Sequence, residues 1–355
     1  MNRQRYFYPL VLLILVASGC IKEDHFGKST LKQILYFTLK GQVGNSNIKE
    51  DSLKIYITLA ASANLQTNSP DSVGLSTFAK ISPAKTVNRD FSTPVKYAVT
   101  AEDGSTSEYT IIVVQEGANP QLENSDFDDW YTPAGLNYQE PGKDANTIWA
   151  SANAGVATMG LSNVNTTALL INGTDFAAHL VTKDLGSLAQ ITGQRMGSAT
   201  LFTGKFVLNI ANPIASAQFG ILYTSKPKSF TVDMKYQPGT PYKDGRNNVL
   251  NKTDSCDIYL LLENRDNPGN VKRIATGWYR SSIASTNYQT LSVPLVYGQL
   301  PAGSPDYQKP PNGLYGLATD RVTHISVVFA SSAQGLFYEG AVNSVLDINH
   351  FKLNY

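Results

Sequence analysis

The most constraining feature of this sequence is a pair of apolar runs near its end, His324–Ala330 and Val345–Leu353. A loop that contains Gly335 and Gly340 joins them. Both runs have the length and the nearly continuous apolar character of strands covered on two faces, which is typical of the inner strands of a β-sandwich. We therefore expect the chain from about Gln121 onward to pair with these strands or to pack on them.

The composition favours an all-β fold. Of the 355 residues, 42% are hydrophobic and only 16% are charged, with 27 Gly and 19 Tyr. A chain of this length can bury one large core and has room for a second. Phe230, Val232, Met234 and Tyr236 alternate with polar residues, which predicts a strand with one face on a core. No segment beyond residue 20 keeps a 3.6-residue repeat, so we expect helix only as short turns, such as one at Thr166–Leu170.

The N-terminus has the pattern of a targeting segment. Arg3 and Arg5 precede an apolar core at 6–16 that is too short to span a bilayer, and small residues at 17–19 precede Cys20. This resembles a bacterial lipobox, which implies that residues 1–19 are a lipoprotein signal peptide and that lipid is attached to Cys20. The alternative is an ordinary secretion signal with a coincidental cysteine.

The residues that follow Cys20 bear on the location. Lys22, Glu23 and Asp24 lie in the predicted tether, 20–30. They are similar to the export signal that sends lipoproteins of the Bacteroidota to the cell surface, and the alternative is a plain polar tether. The resemblance implies an outer-membrane, lipid-anchored protein exposed at the cell surface.

Charge and cysteine content exclude several classes of function. The chain has 29 basic and 28 acidic side chains, and removal of Arg3 and Arg5 with the signal leaves 29 − 2 = 27 basic against 28 acidic. No basic patch points to nucleic acid as a partner. No other apolar run could cross a membrane, so lipid would be the sole anchor. With Cys20 lipidated, Cys256 has no disulfide partner, and we expect it to be a small buried hydrophobe.

Residues 31–117 are predicted to form a small β-sandwich of immunoglobulin-like length. The strand candidates are Ile34–Leu39, Leu53–Leu59, Val95–Thr100 and Tyr109–Val114. The run 90–105, in which Asp103-Gly104 can form a hairpin turn, resembles bacterial Ig-like and cadherin-like repeats of surface lipoproteins. The resemblance implies a spacer domain.

A polar linker at 115–120 separates this region from a second domain, 121–355. Several short segments of the second domain resemble, in order, the PCMD family, the "putative carbohydrate metabolism domain" of surface lipoproteins. They are 122–130, 147–155, 201–206, 220–227, 234–239, 257–264 and the last segment, 322–355. The resemblance implies a jelly-roll β-sandwich, lectin-like or like a carbohydrate-binding module, that acts on or binds carbohydrate.

Aromatic side chains are the candidate glycan-binding residues, because they stack on the apolar faces of pyranose rings. Trp149 and Trp278 are the first candidates, and for each tryptophan the alternative is an ordinary core aromatic. The further candidates are Trp130, Tyr138, Tyr242 and Tyr279.

Acidic residues at the two ends of the second domain suggest a structural calcium site. Asp126 and Asp128 lie near its start, and Asp347 with Asn349 lies near its end. Jelly-roll domains often hold calcium where the first and last strands meet, since a hard cation needs several oxygen ligands. The alternative is that these acids are solvated. No other cofactor is expected.

Catalysis is the rival hypothesis. Most glycoside hydrolases need two carboxylates across a cleft. The candidates are Asp128, Asp129, Asp257, Glu263 and Glu339, and no motif pairs any two of them. Glu339, in the glycine-flanked loop before the last strand, is the weak catalytic candidate. The four histidines show neither zinc spacing nor a Ser/His/Asp signature.

Together these features predict a surface lipoprotein with an Ig-like spacer and a jelly-roll domain that captures glycan. Its expected partners are a poly- or oligosaccharide, the outer membrane through the lipid anchor, and other glycan-uptake surface proteins. A glycoside hydrolase on the same fold is one alternative. A non-catalytic adhesive or structural protein with a protein partner is another.

Overall fold

The computed structural model describes residues 27–116, 119–159, 164–266 and 269–355. Within them the chain forms two compact units, one ending at Val113 and one spanning Val114–Tyr355. The predicted lipidation site Cys20 and the signal segment lie outside the described residues. Of the described residues, 43% are in strands and 7% in helices, which confirms the predicted all-β class.

The first unit is a small sandwich in which a two-stranded sheet, β1-β4, shares a core with a five-stranded sheet, β2-β3-β7-β6-β5. Phe37 and Tyr97 meet edge to face in this core, with ring centroids 5.1 Å apart. Gly104 adopts a φ of 88° in the turn between β6 and β7, as the Asp103-Gly104 pair predicts. The strands are β1 (Ile34–Leu39), β2 (Asn47–Lys49), β3 (Lys54–Leu59), β4 (Pro70–Leu75), β5 (Lys80–Ser82), β6 (Val95–Thr100) and β7 (Thr106–Gln115).

The second unit is built from many short and a few long strands. They are β8 (Trp130–Tyr131), β9 (Glu140–Pro141), β10 (Trp149–Ser151), β11 (Thr166–Asn172), β12 (Asp175–Val181), β13 (Lys183–Asp184), β14 (Met196–Gly197), β15 (Thr200–Phe206), β16 (Ala217–Phe219), β17 (Ile221–Leu222), β18 (Ser229–Gln237), β19 (Tyr242–Lys243), β20 (Cys256–Asn264), β21 (Lys272–Ser281), β22 (Gln289–Pro294), β23 (Val296–Tyr297), β24 (His324–Ala330), β25 (Gly340–Ala341) and β26 (Val345–Asn354).

Two large antiparallel sheets form the sandwich of the second unit. One has eight strands, in the order β10-β15-β24-β20-β21-β23 with β16 on β15 and β17 on β24. The other has five strands, in the order β11-β12-β26-β18-β22. β24 and β26, the two apolar runs near the end of the sequence, each lie between two neighbours, which confirms their prediction as inner strands.

The core between these sheets follows from strand alternation. On β18, Phe230, Val232, Met234 and Tyr236 are buried and the residues between them are not, as the period of two predicts. Cys256 is also buried, as predicted, and burial raises the pKa of its thiol to about 12. A thiol with this pKa stays protonated at neutral pH and does not act as a nucleophile.

The predicted helical turn at Thr166–Leu170 is wrong, because this segment belongs to β11 and pairs with β12. Its β-branched residues Thr166 and Thr167 favour the strand. The helices of the described ranges form elsewhere and are short: α1 (Asn153–Thr158), α2 (Gly186–Ile191) and 3-10 turns at Pro213–Ser216, Asp306–Gln308 and Gly335–Phe337. None of the helices in these ranges is long and apolar enough to span a membrane.

Trp149 lies in the core of the second unit and is only 2% exposed. Its ring packs against Phe127 and Phe329, with centroids 5.1 and 6.1 Å away, and its indole N–H donates to the Glu123 carbonyl at 2.8 Å. A ring covered in this way has no face for a sugar. The structure therefore corrects the expectation that Trp149 stacks on a glycan and assigns it the alternative role of a core aromatic.

Replacement of Trp149 by alanine is expected to lower the free energy of unfolding of the second unit by about 3 to 5 kcal/mol, because it leaves a large cavity. Chemical denaturation followed by circular dichroism measures the loss. The matched control is Leu188→Ala, which removes a side chain that is 74% exposed and should change stability by less than about 0.5 kcal/mol. Equal stability of the two variants would contradict this placement of Trp149.

Candidate functional site

A large cleft of the second unit lies on the outer face of the eight-stranded sheet and has a volume of about 810 Å³. Alternation along β20 creates this face. Ile258 and Leu260 turn into the core, so Asp257 and Tyr259 turn outward and line the cleft. Loops that follow β15, β23 and β24 form its walls.

A row of large apolar side chains crosses the floor of the cleft. Phe202, Val328, Tyr259 and Trp278 are directly paired, each with the next, on the adjacent strands β15, β24, β20 and β21. Neighbouring strands are about 4.8 Å apart, so the row is about 14 Å long. Phe202 and Val328 are buried, at 0% and 2% exposure, whereas Tyr259 and Trp278 are half-buried. The apolar surface that a ligand can reach on this row therefore lies over β20 and β21.

A second, smaller row runs beside the first. Thr200, Ala330, Asp257 and Arg280 are paired across the same four strands. The two small residues lie on β15 and β24, and the two charged residues lie on β20 and β21. This row is therefore small and uncharged at one end and charged at the other.

Aromatic side chains form a corner at the charged end. Tyr259 and Trp278 stack with ring centroids 4.0 Å apart and an angle of 18° between their planes. Tyr307, on the 3-10 turn Asp306–Gln308, meets Trp278 at 5.6 Å and 60°. Tyr307 is 40% exposed, so it offers part of its ring to a ligand. Such a corner can contact the C–H groups of a sugar on two sides.

An ion pair holds this corner in place. The Arg280 Nε and Nη2 atoms donate to the two oxygens of Asp257 at 2.7 and 2.5 Å, and the Trp278 indole N–H donates to the same carboxylate at 3.1 Å. The guanidinium also lies over the Tyr307 ring, 3.7 Å from its centroid. Burial alone would lower the pKa of Arg280, but the hydrogen bonds and charge of Asp257 raise it, so the guanidinium is charged. Burial raises the pKa of Asp257, and the hydrogen bonds and charge of Arg280 oppose that rise.

Of the aromatic residues predicted to bind glycan, the structure places Trp278 in the cleft. Tyr279 turns to the opposite face of β21 and packs on the core. Trp130 also packs on the core, and its indole N–H donates to a backbone carbonyl. Tyr138 and Tyr242 are buried, at 9% and 4% exposure. These four residues do not line the cleft, and contact between Trp278 and a sugar stays a prediction.

Three residues of the cleft were not predicted from the sequence: Phe202, Tyr259 and Tyr307. The alternation of side chains along a strand did indicate Tyr259: because Ile258 faces the core, its neighbour Tyr259 faces outward. Tyr307 lies in a loop, where no periodicity indicates the direction of a side chain. Its position in the cleft follows only from the fold.

Glu339, the weak catalytic candidate, is tied to neighbouring side chains. Its Oε2 atom accepts from Lys252 Nζ at 2.9 Å and from the Tyr242 hydroxyl at 3.3 Å. It does not line the cleft, whose carboxylates within the described residues are Asp257 and Asp306. The geometry therefore offers Glu339 no second carboxylate across the cleft.

Asp347, one of the predicted calcium ligands, instead pairs with cationic and histidine side chains. Its carboxylate lies 3.1 Å from Lys235 Nζ and 2.5 Å from His179 Nδ1, and its side chain is 2% exposed. A lysine ammonium at this distance neutralises the negative charge of the carboxylate, which a calcium ion would need for binding.

The other predicted calcium ligands are also engaged or exposed. Asp128 accepts the backbone N–H of Phe176 at 2.7 Å, the Asn349 amide donates to Asp175 at 2.7 Å, and Asp126 is exposed. In the ranges that the structure describes, no group of three or more His, Cys, Asp or Glu side chains could hold a metal ion. Calcium stays a prediction of the sequence that these contacts do not favour.

Addition of ~2 mM calcium, which exceeds the dissociation constant of most extracellular calcium sites, is expected to leave the melting temperature unchanged relative to excess chelator, since Asp347 is already paired. Differential scanning fluorimetry of the chain from residue 21 measures both conditions. A rise of several degrees with calcium would support the sequence prediction instead.

A carboxylate with a shifted pKa, Glu140, lies in β9. It is not among the residues that line the cleft. Burial raises the pKa of Glu140 from 4.5 to about 7, although a hydrogen bond from the Ser151 hydroxyl at 2.6 Å opposes the change. The folded chain therefore holds a proton on Glu140 over a pH range in which the unfolded chain has lost it.

The stability of the chain is expected to fall as pH rises from about 4.5 to 7, relative to a Glu140→Gln variant. The unfolded state loses this proton first and is stabilised, and the effect is complete above the folded pKa. The difference is about 3 kcal/mol, since one pKa unit is worth about 1.4 kcal/mol. Urea unfolding of both proteins at several pH values measures it, and parallel pH profiles would contradict it.

Both units match known protein families. Residues 126–354 match the family described as "Putative carbohydrate metabolism domain", PCMD. Residues 34–113 match the family described as "SGBP, N-terminal", where SGBP stands for surface glycan-binding protein. No curated protein matches the chain.

The chain is similar to two solved structures. The crystal structure of a "putative glycoside hydrolase" from Bacteroides thetaiotaomicron is 25% identical, with a TM-score of 0.56 and coverage of 93% of this chain and 98% of the other. A second "putative glycoside hydrolase", from Bacteroides vulgatus, is 20% identical, with a TM-score of 0.48 and coverage of 63% and 89%.

The family matches cover the Ig-like unit and nearly all of the second unit, and the resemblance found in the sequence is confirmed by them. The PCMD match alone spans more than half of the chain. The chain belongs to the putative carbohydrate metabolism domain family.

Proposed function

We propose that this protein is a surface glycan-binding protein that captures a poly- or oligosaccharide in the cleft of its second unit. The observation that carries the proposal is the aromatic corner of Trp278 and Tyr307, beside the half-buried ring of Tyr259, in a large cleft. Sugar rings present C–H groups on their faces and hydroxyls at their edges. The aromatic corner can pack on the faces of a sugar ring, and the polar atoms of Asp257 and Arg280 can form hydrogen bonds with its hydroxyls.

The match of the first unit to the SGBP N-terminal family supports a location at the cell surface. The lipobox-like sequence before Cys20 supports a lipid anchor in the outer membrane. In this arrangement the Ig-like unit is a spacer, and the protein works beside other surface proteins of a glycan-uptake system.

A glycoside hydrolase is the alternative, and the similarity to the "putative glycoside hydrolase" of Bacteroides thetaiotaomicron favours it. The cleft geometry does not, because both of its carboxylates within the described residues, Asp257 and Asp306, lie in ion pairs, with Arg280 and Lys309. A general acid and a nucleophile or base need two carboxylates free to act on one bond.

A glycan array with the chain from residue 21, combined with a reducing-sugar assay on every glycan that binds, separates these functions. Saturable binding without release of sugar supports capture. Release of sugar that persists after purification to homogeneity and disappears in Asp257→Asn would support hydrolysis instead. Absence of binding to every glycan would contradict both.

Trp278→Ala and Tyr307→Ala are each expected to weaken binding of an array-positive glycan by about 30-fold, since a central aromatic residue in a binding site typically contributes about 2 kcal/mol. Isothermal titration calorimetry measures the affinity. Tyr36→Ala, which removes an exposed tyrosine of the first unit, is the matched control and should bind as the wild type does. Wild-type affinity in both cleft variants would refute the assignment of the site.

A further inference from the structure

The charged side chains that line the cleft neutralise one another. Asp257 pairs with Arg280, and Asp306 pairs with Lys309, with an Nζ to Oδ1 distance of 2.7 Å. These four are the charged residues among the described residues of the lining, so its formal charge is zero. The lining therefore has no excess of positive charge that would favour an acidic sugar.

Arg280 is poorly placed to bind a carboxylate or sulfate of a ligand. Two of its three nitrogens donate to Asp257, and its planar face lies on Tyr307. A ligand anion would have to approach the Asp257 carboxylate, and at low solvent exposure that repulsion is strong. Arg280 Nη1 remains suited to a neutral hydroxyl or carbonyl oxygen.

The walls of the cleft are unusually apolar for a site that binds hydroxyl-rich sugars. The lining side chains Met159, Leu208, Ile210, Ile214, Leu336 and Phe337 are all exposed, with Ile210 at 80% and Phe337 at 70%. A contiguous exposed apolar surface of this kind marks a binding site. Aliphatic side chains accept no hydrogen bonds, so a hydroxyl buried against them loses its water without a replacement.

These observations favour a ligand in which methyl groups take the place of some hydroxyls. We infer that the cleft binds an uncharged glycan whose sugars carry methyl groups, either as O-acetyl esters or as the C6 methyl of deoxysugars. The inference rests on the proposed function. Acetyl and deoxysugar methyls would lie against the aliphatic walls, while the sugar rings contact the floor and the aromatic corner.

Matched pairs of polysaccharides test the inference and separate the two sources of methyl groups. Acetylated glucomannan and acetylated xylan are compared with the same samples after mild alkali, which removes the esters. Fucosylated xyloglucan is compared with its fucosidase-treated form, because its deoxysugar methyl resists alkali. Polygalacturonate provides the acidic ligand. Affinities of the chain from residue 21 are measured by isothermal titration calorimetry.

At least one methyl-bearing glycan is expected to bind more tightly than its matched partner, by roughly four-fold for each methyl group that becomes buried. Equal affinities within every pair that binds would overturn the inference and leave glycan capture intact. Tighter binding of polygalacturonate than of the neutral glycans would also overturn the inference. Binding of unsubstituted glycans alone would overturn it too. Absence of binding to all of these and to the glycan array would overturn the proposed function as well.

Substitutions in the walls connect the preference to the structure. Ile210→Ser combined with Leu336→Ser, at two exposed positions that folding tolerates, should bring the affinity ratio of the matched pair close to one. Ile283→Ser, at a 78% exposed isoleucine outside the lining, is the control and should keep the wild-type ratio. An unchanged ratio in the double variant would contradict the role of the aliphatic walls.

Discussion

Strand β20 lies between β24 and β21. One of its faces packs in the core, and the other lines the cleft. Ile258 and Leu260 anchor it in the core, and Asp257 and Tyr259 therefore turn outward. A shift of one residue in its pairing would turn the Asp257 carboxylate into the apolar core, away from Arg280, and would turn Ile258 and Leu260 toward the cleft, which fixes the register strongly. The position of every functional group on the floor of the cleft follows from this one alignment.

The register of β20 places Asp257 opposite Arg280 on β21, where the two side chains form an ion pair. Asp257 is only 4% exposed, and removal of a charged pair from water is costly unless the geometry is nearly ideal. Two short hydrogen bonds from Arg280 and one from the Trp278 indole supply that geometry. The pair adds little net stability, but it orients Trp278 and Tyr307 before a ligand arrives. A pre-oriented site loses less conformational entropy on binding.

Much of the fold could be predicted from the sequence, and much of the site could not. The continuous apolar runs of β24 and β26 and the alternation on β18 indicated strands because burial leaves a direct trace in the pattern. Trp149 and Trp278 both lie in strands, yet one ring packs in the core and the other lines the cleft. The difference depends on which face of the strand meets the other sheet, and that depends on pairing with β15 and β20. Tyr307 belongs to a loop whose path is set by tertiary contacts.

The structure of a complex tests the central claim most directly. Crystals of residues 114–355 or of the whole mature chain, grown with an oligosaccharide that binds on the array, would locate the ligand. We expect a sugar ring packed against Trp278 and Tyr307, with the glycan extending along the cleft. A ligand bound on the five-stranded sheet, or on the first unit, with the cleft unoccupied, would contradict this expectation.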